Sequence, residues 1–297
     1  MSHEGKHLEA EQEYRAAAEI YRRTLGPEHP DTLGMQTEVA YELLDQSKYV
    51  EAEAELRAVM DARQRILGPE HQETLGTRSL LAMMFSLQGK PTEAEAEHRA
   101  IVNIQQRVLG PEDWRTLGGR EGLADVLSAQ GKHAEAEQVY RSVLAIRERT
   151  AGPDSWETVQ SHAGLASALK AQRKYAEAAV EHRTVLAIQE RKFGLEDSIT
   201  LNSRRQLASI LDDQGKHKGA EAEYRAILKI LKRVLWQEDQ VVYWTWHDLA
   251  VCLRAQGKKT EAIEYARRAL DGWKGHCGAN HPNTLVAQKF VEELKKK

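Results

Sequence analysis

Histidine, cysteine and glutamate are the residues of this sequence whose chemistry could support catalysis or metal binding. The 297 residues include 12 histidines and 2 cysteines. Six of the histidines fall into two groups whose members are separated by multiples of 42 residues. These groups are His29, His71 and His281, and His7, His133 and His217. Such strict recurrence favours a structural or capping role for these histidines over a catalytic one.

The spacing of the reactive residues matches no familiar catalytic or metal-binding motif. The sequence contains no GxxxxGK[ST], HExxH or GxSxG motif. Cys252 and Cys277 lack CxxC or zinc-finger spacing, which indicates a reduced, cytoplasmic protein. The repeated Glu-Ala-Glu triplets are expected to place their carboxylates on solvated first turns of helices and not in a cleft. We therefore predict that the chain is not an enzyme and has no catalytic residues, metal site or cofactor.

The element that must position all these residues is a repeat of 42 residues. The segment LGPEHPDTL at 25–33 returns in related form at 67–75, 109–117, 151–159, 193–201, 235–243 and 277–285. Lysine occurs at the same interval from Lys6 to Lys258, and an alanine follows each of these lysines by four residues. We call residues separated by a multiple of 42 equivalent. Internal periods of roughly 20 to 50 residues are typical of solenoids and other repeat arrays.

Each repeat contains two helical patterns, in which apolar residues recur at intervals of three and four and so share one face. Helix A carries a Leu-Ala or Val-Ala pair, and helix B begins at a Glu-Ala pair and ends in basic residues that suit the helix dipole. A glycine such as Gly26 is expected to end helix B in a left-handed cap, and Pro27 prevents its continuation. Asp31 or Thr32 is the expected N-cap of the next helix A.

The Leu-Ala pairs of helix A and the alanine of helix B resemble the tetratricopeptide repeat (TPR), a helix-turn-helix unit. This resemblance implies an all-α fold, a right-handed α-solenoid of antiparallel helix pairs (a TPR superhelix) with about 14 helices. We expect a single solenoid domain over residues 1–297. It would contain an unpaired helix B at 8–25, six A–B pairs over about 31–274 and a capping helix at 283–296.

The 42-residue length, the LGPEHPDT loops and the QGKxxEAE turns resemble the kinesin light chain type of this repeat. Kinesin light chains carry Asn-Asn before the Leu-Ala of helix A, and those amides bind extended cargo peptides. None of the corresponding pairs of this chain is Asn-Asn, as Arg205-Gln206 and His247-Asp248 illustrate. The cargo recognition of the family therefore does not carry over to this chain.

The charge of the chain is unevenly distributed. The formal net charge of −3 argues against nucleic acid as a partner. From Lys216 onward, however, 16 Lys and Arg residues oppose 10 Asp and Glu residues, a net charge of +6. This basic last third either attracts an acidic partner or reflects variation on solvated helix faces. The longest apolar run, LLAMMF at 80–85, is too short to cross a bilayer, and no N-terminal stretch resembles a signal peptide.

The surface expected to carry the function is the concave groove lined by helices A. Its candidate residues are apolar toward the N-terminus and become aromatic and basic toward the C-terminus. They are Tyr41, Leu44, Leu80, Met83 and Leu87, followed by Arg205, Trp244, His247 and Arg254. Because aromatic and Arg side chains anchor many protein interfaces, a peptide or protein is the expected occupant. Met84, Phe85 and Trp246 are expected to belong to the core instead.

Three functions follow from these patterns. The first is an adaptor or scaffold that binds another protein. A chain of this kind resembles the bacterial kinesin light chain, which implies binding to a bacterial tubulin filament and its linkage to membrane. The basic last third, the tail at Lys295–Lys297 and the candidate exposed residues Trp236 and Trp273 would suit an acidic filament or an anionic lipid surface. The second is a regulatory module that senses a peptide or small ligand, and the third is an enzyme, for which no polar constellation can be assembled.

Overall fold

The computed structural model describes residues 3–234 and 239–296, and within these ranges all regular structure is α-helical. The chain divides into two compact units, the first ending at Thr150 and the second beginning at Ala151. The helices of the first unit are α1 (His3–Thr24), α2 (Pro30–Asp45), α3 (Tyr49–Leu67), α4 (Gln72–Leu87), α5 (Pro91–Leu109), α6 (Trp114–Ala129) and α7 (His133–Thr150). Those of the second unit are α8 (Trp156–Ala171), α9 (Tyr175–Phe193), α10 (Ser198–Asp213), α11 (His217–Val234), α12 (Gln240–Ala255), α13 (Lys259–Cys277) and α14 (Pro282–Lys296).

The helix order is the one that the repeat predicts. Helices A from α2 to α12 each span 16 residues, and helices B from α3 to α13 each span 18 or 19. The unpaired helix B, α1, begins at His3 and not at residue 8, and six A–B pairs follow it. The single domain expected from the sequence stays a prediction, because each unit is compact by itself. Trp236 and Lys297 lie outside the described residues.

The core of each unit forms where small residues let neighbouring helices approach. The alanines of the Leu-Ala pairs and of the Glu-Ala pairs are almost completely buried. They include Ala40, Ala52, Ala82, Ala94, Ala124 and Ala136 in the first unit, and Ala166, Ala178, Ala208, Ala220, Ala250 and Ala262 in the second. Because a larger side chain at these positions would separate the backbones, the strict recurrence of alanine in the sequence is a packing requirement.

The LGPEHPDTL loop ends one helix and begins the next by a different set of contacts from those expected. The N-cap of α2 is His29, whose Nδ1 accepts a hydrogen bond from the backbone N–H of Asp31, so neither Asp31 nor Thr32 is the cap. Thr32 instead turns inward, and its Oγ1 donates to the carbonyl of Gly26 at 2.8 Å. The equivalent loops before α6, α8 and α10 use Asp113, Ser155 and Asp197 as N-caps, which confirms that this loop position, occupied by His in other repeats, has a capping role.

Within the described residues, the glycines that follow helices B have a positive φ. Those after α3, α5, α9 and α13 are not in the left-handed helical conformation. Gly68, for example, has φ 92° and ψ 163°, a region that is essentially accessible only to glycine. The left-handed residues lie in the other turn, after helix A, where Gly89 has φ 73°. Ser47 and Arg173 occupy the equivalent position with φ near 60°, although neither is glycine.

The second glutamate of the Glu-Ala-Glu triplets is largely buried, which corrects the expectation that it is solvated. The Glu11 side chain is 9% exposed, and its Oε2 accepts hydrogen bonds from Gln46 Nε2 at 2.9 Å and from Lys48 Nζ at 3.2 Å. Equivalent carboxylates bind the equivalent Gln and Lys at Glu53, Glu95 and Glu221. The Gln and Lys of the QGK turn therefore attach each of these hairpins to the preceding helix B.

A second series of ion pairs joins the loops to the ends of helices B. The acidic residue of the loop pairs with an Arg that lies 37 residues later, as in Glu112 and Arg149 at 2.6 Å. The other members are Glu28–Arg65, Glu70–Arg107, Asp154–Arg191 and Glu196–Arg233. These pairs are about half exposed, so each is expected to contribute less than about 1 kcal/mol.

No helix among the described residues is long and apolar enough to span a membrane.

Candidate functional site

The candidate residues of the first unit lie on helices A, and most of them are accessible. Tyr41, Met83 and Leu87 are exposed, with Leu87 at 52%. Leu80 is half-buried against the core that contains Leu43 and Leu56. The unit therefore presents an apolar surface of three side chains on α2 and α4.

Leu44 differs from the rest of that set. It is only 8% exposed and packs in the same core. Met84 is also completely buried, and Phe85 is half-buried beside it, as expected for core residues. We therefore leave Leu44 out of the surface that a partner could contact.

In the second unit, Arg205 and Asp248 form an ion pair that joins α10 to α12. The side chains are 8% and 18% exposed, respectively. Arg205 also donates from Nη2 to Asn202 Oδ1 at 2.9 Å, and its guanidinium lies 5.9 Å from the ring of Trp244. Arg205 is thus committed to internal contacts, which link it to Asn202 and Trp244.

A continuous series of ring contacts connects the other three candidates of this unit. Trp244 packs edge-on against His247, with ring centroids 6.0 Å apart, and His247 packs against Phe290 at 5.1 Å. The guanidinium of Arg254 lies over the ring of Phe290, 4.8 Å from its centre. Arg254 is exposed, whereas Trp244 and His247 are half-buried. The candidates therefore form one connected surface of α12 that continues onto α14.

Trp273 is not the exposed residue that the sequence suggested. It is 1% exposed, and it packs edge-on against Tyr243 and Trp244 with centroid distances of 5.3 and 5.1 Å. Trp246 is half-buried against the same cluster, as expected for a core residue. Trp273 therefore supports Trp244 from below and offers no surface of its own.

A cavity of about 370 Å³ opens on the helix-A side of the second unit beside this surface. It lies between α8 and α10, with α9 as its floor. Its lining includes Trp156, Ala163, His182, Gln189, Asn202 and Gln206. Asn202 is shared with the Arg205 contacts, so the cavity and the Trp244 surface meet at this residue.

The cavity exists because two carboxylates of the first unit are replaced by small residues. In the first unit, Arg147 pairs with Glu121 at 2.8 Å, and the hydroxyl of Tyr140 donates to Asp125. The equivalents of the two carboxylates are Ala163 and Ser167, and both line the cavity. The equivalents of Arg147 and Tyr140 are Gln189 and His182. The helix-B side chains are thus polar at places where the equivalents of the two carboxylates are absent. The same holds for His98 and Gln105 of α5, whose Nδ1 and Oε1 also have no hydrogen-bond partner within the described residues.

Two polar atoms at the floor of the cavity have no hydrogen-bond partner within the described residues. They are His182 Nδ1 and Gln189 Oε1, on residues that are each 5% exposed. Burial lowers the pKa of His182 to about 4, and the charges of Lys170 and Arg205 act in the same direction while Glu181 opposes them. The imidazole is therefore neutral at physiological pH. A buried polar atom without a partner is costly, so these atoms favour an occupant that supplies hydrogen bonds.

Sequence reasoning missed His182, Gln189 and Asn202, because it considered only the outward positions of helices A. The signal was present in the comparison of equivalent positions. Glu121 and Asp125 become Ala163 and Ser167, which predicts space on the helix-A side.

The opposite side of the last two helices B carries a basic face. Lys229 and Lys232 of α11 and Arg267 and Lys274 of α13 are exposed, and none has an ion-pair partner among the described residues. Lys232 and Lys274 are equivalent, whereas the residue equivalent to Lys229 is the exposed Asp271 of α13. We call the four basic residues the basic face. Such unpaired charge attracts acidic surfaces, with a strength that falls as salt is added.

Comparisons with known proteins agree with the fold. The family description "Tetratricopeptide repeat" matches residues 33–107, 73–149 and 115–180, and again 2–31, 200–235 and 245–283. No curated protein matches the chain significantly. A crystal structure of the nearly identical TPR-like repeats of a Podosopora anserina kinesin light chain is 26% identical, with a TM-score of 0.58. The match covers 67% of this chain and 94% of that one.

Two further structures share the fold at lower identity. BtubC (BKLC) from P. vanneervenii is 19% identical over 76% of this chain and 88% of that chain, with a TM-score of 0.57. NprR, solved in complex with its cognate peptide NprX, is 14% identical over 99% of this chain and 82% of that chain, with a TM-score of 0.62. The similarities confirm the all-α class of paired helices and the kinesin light chain type of repeat.

Proposed function

The chain belongs to the tetratricopeptide repeat family, and on that premise we propose that it is a non-enzymatic adaptor that binds a protein partner. The binding surface is the helix-A side of the second unit, from the cavity to Trp244, His247 and Arg254. The apolar residues Tyr41, Met83 and Leu87 give the first unit a second surface of the same kind. An extended segment of the partner is the occupant that suits the first of these surfaces.

The observation that carries this proposal is the pair of unpartnered polar atoms at the floor of the cavity, His182 Nδ1 and Gln189 Oε1. An extended polypeptide supplies a donor and an acceptor at every residue, so it can satisfy both atoms. Asn202 and Gln206 at the rim add further donors and acceptors. Trp244 beside them provides the aromatic contact that interfaces favour.

For the identity of the partner, we propose an acidic cytoskeletal filament of the bacterial tubulin type. Two observations support this choice: the fold is shared with BtubC, and the basic face offers four unpaired cations on the side opposite the cavity. The chain would then hold a segment of its partner on one side and face acidic material on the other. An anionic membrane is the alternative acidic material for the basic face, and it would place the chain at the membrane periphery.

Co-sedimentation tests both parts of this proposal. The full chain is pelleted with bacterial tubulin filaments and, separately, with vesicles that contain phosphatidylserine, each at low and physiological salt. We expect the chain in the filament pellet, and we expect loss of binding by at least tenfold for the combined variant Asn202→Ala, Gln206→Ala and Trp244→Ala. Val180→Ala, at an exposed position on α9 away from the cavity, is the matched control and is expected to bind normally.

Two results of the co-sedimentation experiments would contradict the proposal. Absence of the chain from both pellets at either salt concentration would remove the filament and the membrane as partners. Binding that the triple variant leaves unchanged would show that the helix-A surface is not the site, and the basic-face variant Lys229→Glu with Lys232→Glu would then be the next test of location.

The second candidate function is a regulatory module that senses a short peptide. The similarity to the peptide-bound NprR and the enclosed floor of the cavity favour it. The two functions differ in what suffices for binding. A sensor binds a free peptide of a few residues tightly and becomes more resistant to proteolysis, whereas the adaptor requires the folded partner. Isothermal titration with peptides derived from a filament subunit separates them.

A further inference from the structure

We propose that Asp212, His217 and Cys252 form a binding site for a divalent transition metal, with Zn²⁺ as the best match. This site is independent of the proposed adaptor function. It joins three consecutive helices of the second unit, since Asp212 lies at the end of α10, His217 begins α11 and Cys252 lies in the middle of α12. One ligand atom from each residue lies within 4.8 Å of the others.

The three side chains already face one another closely. His217 Nδ1 and Asp212 Oδ1 are 2.6 Å apart, and Cys252 Sγ lies 3.3 Å from the backbone carbonyl of His217. Cys252 is completely buried, Asp212 has a side chain that is 13% exposed, and His217 is more open at 34%. The imidazole thus lies at the mouth of the cluster and the thiol at its base, which gives a metal ion a path of entry.

The ligand set matches the chemistry of zinc. Thiolate, imidazole and carboxylate are its three common protein ligands, and a site with three of them leaves one tetrahedral position for water. Zinc–ligand distances of about 2.0 to 2.3 Å place neighbouring ligand atoms about 3.3 to 3.7 Å apart in a tetrahedron. Binding of the ion therefore requires Asp212 Oδ1 and His217 Nδ1 to move apart by less than about 1 Å and Cys252 Sγ to move closer to both atoms. The thiol releases its proton to solvent when the zinc–sulfur bond forms.

Equivalent positions show that this cluster is not what the repeat requires. The residues equivalent to Cys252 are buried and apolar at Met84, Val126, Ala168, Ile210 and Leu294. Those equivalent to His217 include Tyr49 and Tyr175. Tyr175 with Ile210 and His133 with Ala168 occupy two of these places, so the repeat packs here without a thiol. The second unit instead places three potential metal ligands together at one of these junctions.

One other junction is also polar, and it serves as an internal comparison. His7 and Glu42 are equivalent to His217 and Cys252, and His7 Nδ1 lies 2.8 Å from Glu42 Oε2. That cluster, completed by Asp45, has no thiol. Because thiolate ligands select zinc and cobalt over the harder ions that carboxylates prefer, only the Cys252 cluster is expected to give a thiolate signature.

The residues around Cys252 tie the site to the repeat contacts already described. Gln256 Nε2 lies 3.6 Å from Cys252 Sγ and donates to Glu221 Oε2 at 2.8 Å. Glu221 in turn accepts from Lys258. A bound ion would therefore brace the α10–α11 turn against α12 at the same place where the Glu-Gln-Lys contacts attach the next hairpin.

Cobalt(II) is the probe for this proposal, because it replaces zinc and reports its ligands optically. The full chain is reduced, freed of metal with a chelator and titrated with Co²⁺. We expect one equivalent to produce intense visible bands of tetrahedral cobalt and a near-ultraviolet thiolate-to-cobalt charge-transfer band. Zn²⁺ should displace both bands and raise the urea midpoint of the chain.

The variants use residues that the repeat itself accepts. Cys252→Ile and His217→Tyr copy Ile210 and Tyr175, and both are expected to abolish the charge-transfer band while keeping the helical circular dichroism of the parent. Cys277→Ser removes the other cysteine and should leave the spectrum unchanged. A parent chain that gives no thiolate band, or a band that is lost in Cys277→Ser and retained in His217→Tyr, would overturn the proposal. His217→Tyr, at a partly exposed position, keeps the test valid if Cys252→Ile fails to fold.

Discussion

Arg205 of α10 and Asp248 of α12 are 43 residues apart in the chain and form an ion pair that is largely shielded from solvent. Burial alone would raise the pKa of the Asp248 carboxyl, but the hydrogen bond from His247 and the charge of Arg205 outweigh it, so that its pKa is lowered. The pair fixes the two helices A whose side chains make up the proposed binding surface. It therefore links the stability of the second unit to the geometry of that surface.

Removing one partner of this ion pair is expected to be far more costly than removing an exposed one. Asp248→Ala leaves the guanidinium of Arg205 buried without a carboxylate, which should lower the free energy of unfolding by about 3 to 5 kcal/mol. Glu223→Ala is the matched control, because Arg204 and Glu223 are 2.8 Å apart with side chains 30% and 41% exposed. Its expected cost is below about 1 kcal/mol. Urea unfolding measures the loss of unfolding free energy in both variants. Equal losses would contradict the claim that the Arg205–Asp248 pair is shielded from solvent.

Gly272 and Gly275 of α13 are expected to respond to alanine in opposite directions. A Cβ on Gly272 would lie 2.6 Å from Tyr243 Cε1, and that ring is held by Trp273 and His276, so Gly272→Ala should cost about 1 to 3 kcal/mol. A Cβ on Gly275 meets nothing within 4 Å, so Gly275→Ala should stabilise the helix by about 0.5 to 1 kcal/mol. Thermal unfolding followed by tryptophan fluorescence compares them. Stabilisation by Gly272→Ala would show that Tyr243 can move away.

The 42-residue period was sufficient to predict the helices, because each alanine and each turn recurs under the same packing requirement. The N-cap was misplaced because Asp31 and Thr32 have capping side chains, and only the turn geometry shows that His29 precedes the helix. The expectation that Trp273 is exposed is wrong, because this residue is 1% exposed. Its burial depends on Tyr243 and Trp244, which other repeats lack.

The candidate site was predicted less completely than the helices. Helical spacing identified Trp244, His247 and Arg254 as members of one surface, but it could not show that Arg205 is occupied by Asp248, a residue in the next repeat. The cavity arises from a mismatch between neighbouring helices, in which α9 keeps polar groups and α8 loses their partners. The smaller residues Ala163 and Ser167 at the positions equivalent to Glu121 and Asp125 are visible in the sequence, but the unpartnered atoms of α9 are seen only in the structure.

The turn after helix A offers a test of backbone strain. Arg173 has φ 61° at a position where Gly131 and Gly215 have φ 79° and 76°. Because a left-handed conformation costs a non-glycine residue about 1 to 2 kcal/mol, and the added flexibility of glycine offsets part of this, Arg173→Gly should stabilise the chain by about 1 kcal/mol. Gly215→Ala is the reciprocal change and should destabilise the chain by a similar amount, because alanine is strained at this positive φ. The added Cβ meets nothing within 4 Å, so no steric clash contributes to this cost. If backbone strain is the cause, urea unfolding must show changes of opposite sign in the unfolding free energy of the two variants.

His182 should make the chain less stable in mild acid. Burial, aided by the charges of Lys170 and Arg205 and opposed by Glu181, lowers its pKa from 6.5 to about 4. The unfolded chain therefore takes up a proton near pH 6.5, while the folded chain does so only near pH 4. The stability contribution of this histidine is thus constant above about pH 6.5 and falls as the pH decreases from there toward about 4.

His182→Gln keeps a polar side chain at the floor of the cavity but removes this titration. We expect it to reduce the loss of stability between pH 6.5 and 4. Urea midpoints measured across this range give the slopes, and the imidazole resonances of His182 give its midpoint directly by NMR. A His182 resonance that titrates near 6.5 would mean that water reaches the floor of the cavity and satisfies its Nδ1. The main argument for an occupant that supplies hydrogen bonds would then be lost.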